Sequence, residues 1–163
     1  AARGDRVALC DADATAGQAA QAELPDAIAM TADVTDPAQM GQHALGNLPG
    51  WEDFPQKVQP GDIVVTGENF GCGSSRQQAV DCFQALGVSV IIARSYGAIY
   101  ERNAINAGLP VMTADLRSAG LENGQRITVD LASGQITWDG GQARAQPMSD
   151  VQLAIYQRGG LLV

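Results

Sequence analysis

Three glycines within seven residues, Gly67, Gly71 and Gly73, separate the apolar run Ile63-Val64-Val65 from a segment in which Ala79, Val80, Phe83 and Leu86 recur at helical spacing. Pro60-Gly61-Asp62 leads into the run, and Gly87 follows the periodic segment as a C-terminal stop. A second apolar stretch, residues 88–93, comes next. Strand, glycine-rich loop, helix and strand in that order predict a βαβ unit, whose right-handed crossover makes the two strands parallel. The fold class is α/β.

The loop ends in Ser74-Ser75-Arg76, which puts two hydroxyls and a guanidinium at the mouth of the helix predicted over 75–86. First-turn N–H groups and the helix dipole favour an anion there, and Arg76 can hold a carboxylate through two parallel hydrogen bonds. A carboxylate or phosphate ligand follows from that chemistry. A plainer assignment covers the same residues, with Ser74 capping the helix and Arg76 a solvated charge. The loop is not a nucleotide P-loop, which needs a lysine after its second glycine, because Lys57 is the only lysine in the chain.

Composition removes other classes. A chain of 163 residues, 45% hydrophobic, is long enough for one substantial core and short for two, so a single domain over 1–163 is expected. The net charge of -8 opposes nucleic-acid binding, which needs a basic patch to replace counterions on phosphates. There is neither an apolar signal segment nor a stretch long enough to span a bilayer, so no membrane partner is expected. The odd set Cys10, Cys72 and Cys82 gives no disulfide framework, and a reducing cytoplasm is the expected location. With no Cys-x-x-Cys pair, and the lone His43 on what reads as a surface helix, no metal site is expected from this chain alone. Cys82 reads as a core residue, Cys10 as the end of a strand, and Cys72 as a packing residue of the loop, since no base for nucleophilic chemistry is evident beside it.

The remaining pattern predicts a strand over 6–10, a short helix or irregular loop over 15–24, and a helix over 36–45 capped by Thr35 or Asp36 with Pro37 in its first turn. Pro49, Pro55 and Pro60 mark 47–60 as a loop. A helix over 96–107 and a strand over 109–112 come after the βαβ unit, then a hairpin of 126–131 and 135–138. Ser149-Asp150 caps a last helix to about Gln157, and Gly159-Gly160 stops it.

In order along the chain, Thr35-Asp36-Pro37, the stretch from Phe54 through Val65, Gly67 to Arg76, Gly87-Val88, Ile91-Ile92-Ala93, Ser95-Tyr96 and Arg102 to Val111 resemble the small, swivelling subunit or domain of the aconitase superfamily. The likeness is closest to the 3-isopropylmalate dehydratase family and covers roughly three quarters of the chain, counting the hairpin and final helix. It implies a three-layer β/β/α swivelling domain that closes over a separate large catalytic subunit, in a heterodimer of leucine biosynthesis. That partner carries the four-iron four-sulfur cluster, none of whose ligands lies in this chain. The reaction it implies is the dehydration and rehydration of a hydroxy di- or tricarboxylic acid. Carried over by position, Ser74 matches the serine that takes the proton from carbon, and Arg76 the arginine that binds substrate carboxylate. Ser75 matches a substrate contact, while Asn69, Gly71, Cys72 and Gly73 shape the loop or touch substrate, the glycines letting N–H groups converge.

Three departures stand beside these matches. Gln77-Gln78 occupies the place where the family usually has Glu-His. In Asp11-Ala12-Asp13-Ala14-Thr15 an alanine replaces an expected acid, and Arg94 stands where an acidic residue is common. They leave two alternatives: a related hydro-lyase subunit for another hydroxy-diacid, or a non-catalytic regulatory or anion-binding subunit.

Overall fold

The computed structural model describes residues 8–11, 28–31, 36–46, 48–73 and 76–162. Along them run β1 (Ala8–Asp11), β2 (Ile28–Thr31), α1 (Pro37–Gly41), α2 (Phe54–Lys57), β3 (Ile63–Thr66), α3 (Gln78–Ala85), β4 (Val90–Ala93), α4 (Ala98–Asn106), β5 (Val111–Thr113), β6 (Ile127–Val129), β7 (Gln135–Trp138), β8 (Gly141–Arg144) and α5 (Asp150–Arg158).

Strand β4 is apolar throughout because it is covered on both faces. It lies between β3 and β5 in a parallel sheet, with Ile63 opposite Val90 and Ile91 opposite Val111. All four of its residues are buried, as expected of a central strand with layers above and below. Period-2 geometry then sorts its side chains. Ile91 joins Val80, Phe83, Tyr100, Ala104 and Leu109 on the helical side. Val90 and Ile92 join Met112, Ile136 and Ala145 on the other side, with Ile127, Val129 and Trp138 packed around them. That second side is an antiparallel sheet in the order β6-β7-β8. Helices, parallel sheet and antiparallel sheet make the three layers of an α/β/β sandwich, and the expected βαβ unit of β3, α3 and β4 is present with parallel strands.

Several local expectations are corrected. The segment 47–60 is not all loop: α2 tolerates Pro55 in its first turn, where proline has no helical hydrogen bond to lose. Helix α1 stops at Gly41 and continues as turns to residue 46, so His43 is half-buried in a turn instead of riding on a surface helix. The hairpin has a third strand, β8, reached through the tight Asp139-Gly140 turn. Strand β1, which contains Cys10, pairs in parallel with β2, a strand the sequence pattern did not reveal. The stretch 15–24 lies outside the described residues. The last helix begins as expected: the Ser149 hydroxyl accepts from the Gln152 amide, the Gln152 side chain returns the bond to the Ser149 N–H, and left-handed Gly159 closes the far end.

Candidate active site

Parallel sheets bind ligands outside the carboxyl ends of their strands, and here those ends carry residues 67–73 after β3, 94–97 after β4 and 114–117 after β5. The first two segments are laced together. Arg94 N–H donates to the Gly67 carbonyl (3.0 Å), Phe70 N–H to the Ser95 carbonyl (3.0 Å), and Gly97 N–H to the Phe70 carbonyl (2.9 Å). Asn69 sits at φ 56, a left-handed backbone that asparagine tolerates better than most residues, and its N–H donates to the Ser95 hydroxyl (2.9 Å). Cys72 N–H turns back to the Asn69 carbonyl (3.1 Å).

Beneath the loop is an aromatic floor. The Phe70 ring meets Phe83, Tyr96 and Tyr100 edge-on or nearly so, with centroids 5.6, 6.3 and 5.2 Å away. Tyr96 and Tyr100 stack in parallel planes. The Tyr96 hydroxyl lies within hydrogen-bond reach of the Ile91 and Met112 carbonyls. Among the described residues the buried Tyr100 hydroxyl has no such partner. Gly71 explains why the loop can rest so low. Its φ is 75, and a Cβ there would fall onto the Tyr100 ring. Gly97 allows the same closeness from the other segment, since a Cβ would come 3.0 Å from the Cys72 Cα.

Charges line the upper edge. Glu68 pairs with Arg94, whose Nε lies 3.5 Å from Asp115, and Arg117 binds Asp115 through Nε (3.0 Å) and a second nitrogen (2.7 Å). Hydrogen bonds from the Arg117 side chain and backbone hold the Asp115 carboxyl at about 2. Burial dominates in the floor and the core around it: it pushes the Cys82 thiol up to about 12, with nearby Asp81 adding, and raises the Tyr96 and Tyr100 phenols. Those three groups stay protonated at neutral pH, and none of them is a ready base.

The structure places the sequence-derived candidates unevenly. Asn69, Gly71, Cys72 and Gly73 share one loop at the carboxyl end of β3, and Cys72 and Gly73 face solvent. Arg76 is exposed at the entrance to α3, where its carbonyl accepts from the Ala79 N–H (3.1 Å). Ser74 and Ser75 lie outside the described residues. Gln77 caps α3 without a side-chain cap bond and donates its amide to Asp81 (2.8 Å), along the helix. Cys82 is the buried core residue expected of it. Arg94 is neither isolated nor buried, being tied to Glu68 and Asp115 at the loop's edge. Sequence reasoning missed the supporting cast: Tyr100 as the floor, Ser95 as the clamp on Asn69, and Gly97 as the close approach. Among the described residues no group of three or more His, Cys, Asp or Glu could hold a metal ion, and no helix is long and apolar enough to cross a membrane.

Known proteins resemble this chain in sequence and in fold. The model of the aconitase C-terminal domain matches residues 31–115, a span running from the end of β2 to Asp115. The 3-isopropylmalate dehydratase small subunit of Caldicellulosiruptor bescii is 42% identical over 130 residues, covering 78% of this chain and 77% of that protein. The methanogen homoaconitase small subunit of Methanothermobacter thermautotrophicus is 45% identical over 112 residues, covering 68% and 64%. The crystal structure of 3-isopropylmalate dehydratase from Methanocaldococcus jannaschii superposes with a TM-score of 0.71 at 31% identity, covering 98% of this chain and 89% of that one. With a family model over residues 31–115, relatives above 40% identity and a solved structure of the same fold, this chain belongs to the aconitase C-terminal domain family.

Proposed function

We propose that this chain is the small subunit of a hydro-lyase of the 3-isopropylmalate dehydratase kind, working with a large subunit on a small hydroxy di- or tricarboxylic acid. The observation that carries the reading is the loop Gly67–Gly73 at the carboxyl end of β3, running into Ser74-Ser75-Arg76, in a chain 42% identical to such a subunit. The domain would close as one body over the large subunit, in the cytoplasm. The large subunit would hold a four-iron four-sulfur cluster, which when bound supplies Lewis acidity toward the substrate hydroxyl.

This chain's share is proton transfer and orientation. Ser74, ionised in the closed site, takes the proton from the carbon beside a carboxylate while the neighbouring carbon loses its hydroxyl, which would leave as water with a proton from an acidic group of the large subunit; the reverse addition can place the hydroxyl on the other carbon. A serine hydroxyl is far too weak an acid to sit ionised in water, so the step needs a closed, donor-rich site. The glycine loop is suited to supply N–H donors, because Gly71 takes a backbone turn that a side chain would obstruct. Arg76 grips one carboxylate with its fork, and Ser75, Asn69 and Cys72 border the substrate.

Reconstitution with the large subunit tests this. Ser74→Ala is expected to lower kcat by about a thousandfold with KM within a few fold, as for loss of a group acting only in the transition state. Arg76→Lys is expected to raise KM by about tenfold or more, because an ammonium cannot reproduce the bidentate contact. Full turnover by the Ser74→Ala subunit would instead favour the non-catalytic alternative, toward which Gln77 points by bonding Asp81 and not reaching toward the loop.

A further inference from the structure

The pairing of β3 with β4 continues past the strand ends, but with a slip. Thr66 faces Ala93 and the next bridge joins Phe70 to Tyr96, four residues on in one segment and three in the other. One residue is therefore extra on the loop side: a bulge, absorbed at 67–69 where Asn69 takes its left-handed φ of 56. A bulge bends the chain and re-aims the residues beyond it. Among the described residues of this loop those are Gly71 to Gly73, which lead along the chain toward Ser74-Ser75-Arg76.

Two kinds of contact hold the bulge. Main-chain bonds from Arg94 N–H to Gly67 and from Phe70 N–H to Ser95 fix its ends, and the Ser95 hydroxyl takes the Asn69 N–H. Its middle residue, Glu68, is held only through its side chain among the described contacts, by the Arg94 guanidinium. That guanidinium leaves the end of the central strand β4 and spans carboxylates from both flanking strand ends, Glu68 after β3 and Asp115 after β5. Asp115 is itself locked by Arg117. We propose that Arg94 is a positioning residue: shared between Glu68 and Asp115, it fixes the one-residue bulge and so sets the aim of the loop that carries the reacting groups.

The pair is exposed, so its contribution to global stability is small. A loop held by few bonds opens locally at far lower cost than the whole domain unfolds, and there a small interaction shifts the population that matters. Misaligned reacting groups then lose rate more than binding. The proposal rests on the hydro-lyase reading for its kinetic arm, and a second arm is independent of it.

The test compares Arg94→Gln, Glu68→Gln, the double variant and Arg94→Lys, each assayed for turnover with the large subunit and for amide hydrogen exchange in the chain itself. Either single glutamine variant is expected to lower kcat by about tenfold with KM within twofold, and the double to add little, since both remove one interaction. Arg94→Lys is expected to recover most of the rate. Exchange at the Phe70 and Gly97 amides, which bond Ser95 and Phe70, is expected to quicken by about tenfold in the glutamine variants with an unchanged Tm. Unchanged exchange at those amides overturns the proposal, as does a rise in KM at constant kcat, which would make Arg94 a substrate contact. A wild-type chain that turns over no hydroxy acid with the large subunit would sink the functional reading, and the exchange measurement would still decide the role of Arg94.

Discussion

The Gly67–Gly73 loop has a floor and a rim, and they are built on opposite principles. The floor is Phe70, Phe83, Tyr96 and Tyr100, rings in edge-to-face and stacked contact, with Tyr100 only 2% exposed. The rim is Glu68, Arg94, Asp115 and Arg117, with side chains 42% to 60% exposed. Removing apolar area from water is worth about 25 cal/mol per Å², and a good aromatic pair adds about 0.5–1.5 kcal/mol. An exposed ion pair is worth about 0–1 kcal/mol and is screened by salt. The floor thus sets the height at which the loop rests, whereas the rim adjusts the loop's direction with little energy of its own.

The division is broken most directly at Tyr100. Tyr100→Ala is expected to cost about 3–5 kcal/mol in urea unfolding, the usual loss for emptying a buried aromatic site. Tyr100→Phe keeps the ring and deletes a hydroxyl that has no partner among the described residues, so it is expected to be neutral or slightly stabilising. A loss above about 1 kcal/mol for the phenylalanine variant would mean that a bound water satisfies the hydroxyl and that the floor is partly polar.

Gly71→Ala comes next, with an expected cost of about 2 kcal/mol, because alanine must adopt a left-handed φ while its methyl meets the Tyr100 ring. The two parts separate in a double variant. With Tyr100→Ala in place the collision with the ring disappears, while the close approach to the residue-100 Cβ and the backbone penalty stay, so the costs should be less than additive. Additive costs would show that the Tyr100 ring does not press on residue 71 and that the floor does not set the height of the loop.

This layered support was only half legible in the sequence. The β3-α3-β4 unit could be read because both strands are apolar runs, β4 being buried on both faces, and the loop between β3 and α3 is announced by glycines. Strand β8 could not, since Gly141-Gln-Ala-Arg carries no apolar alternation and exists by pairing with β7, although Asp139-Gly140 was a usable turn signal. Proline misled at Pro55, where its breaker character mattered less than its tolerance in a first turn. In the site, Asn69 to Arg76 stood out because they are contiguous. Ser95, 26 residues from Asn69, and Tyr100 beneath Gly71 did not, because a single chain does not say which distant residue fills the space a glycine leaves open.

The two regions should also answer to opposite ends of the pH scale. Burial raises the Cys82 thiol in the folded chain from 9.0 to about 12, so its contribution to stability is complete below about pH 9 and is lost as pH climbs toward 12. The phenols of Tyr96 and Tyr100 are raised for the same reason and add to that alkaline fall. Cys82→Ala should accordingly flatten part of the alkaline limb of a Tm-versus-pH curve. At the rim the sign reverses. Asp115 is lowered from 3.8 to about 2, so what it contributes is present above about pH 4 and disappears as pH falls toward 2. Because that carboxylate is open to solvent, Asp115→Asn is expected to move Tm by no more than about 1 °C at neutral pH and to soften the acid limb only slightly. A large acid-limb change in about 0.5 M salt, where an exposed pair is screened, would put Asp115 among the buried supports of the loop and erase the distinction between floor and rim.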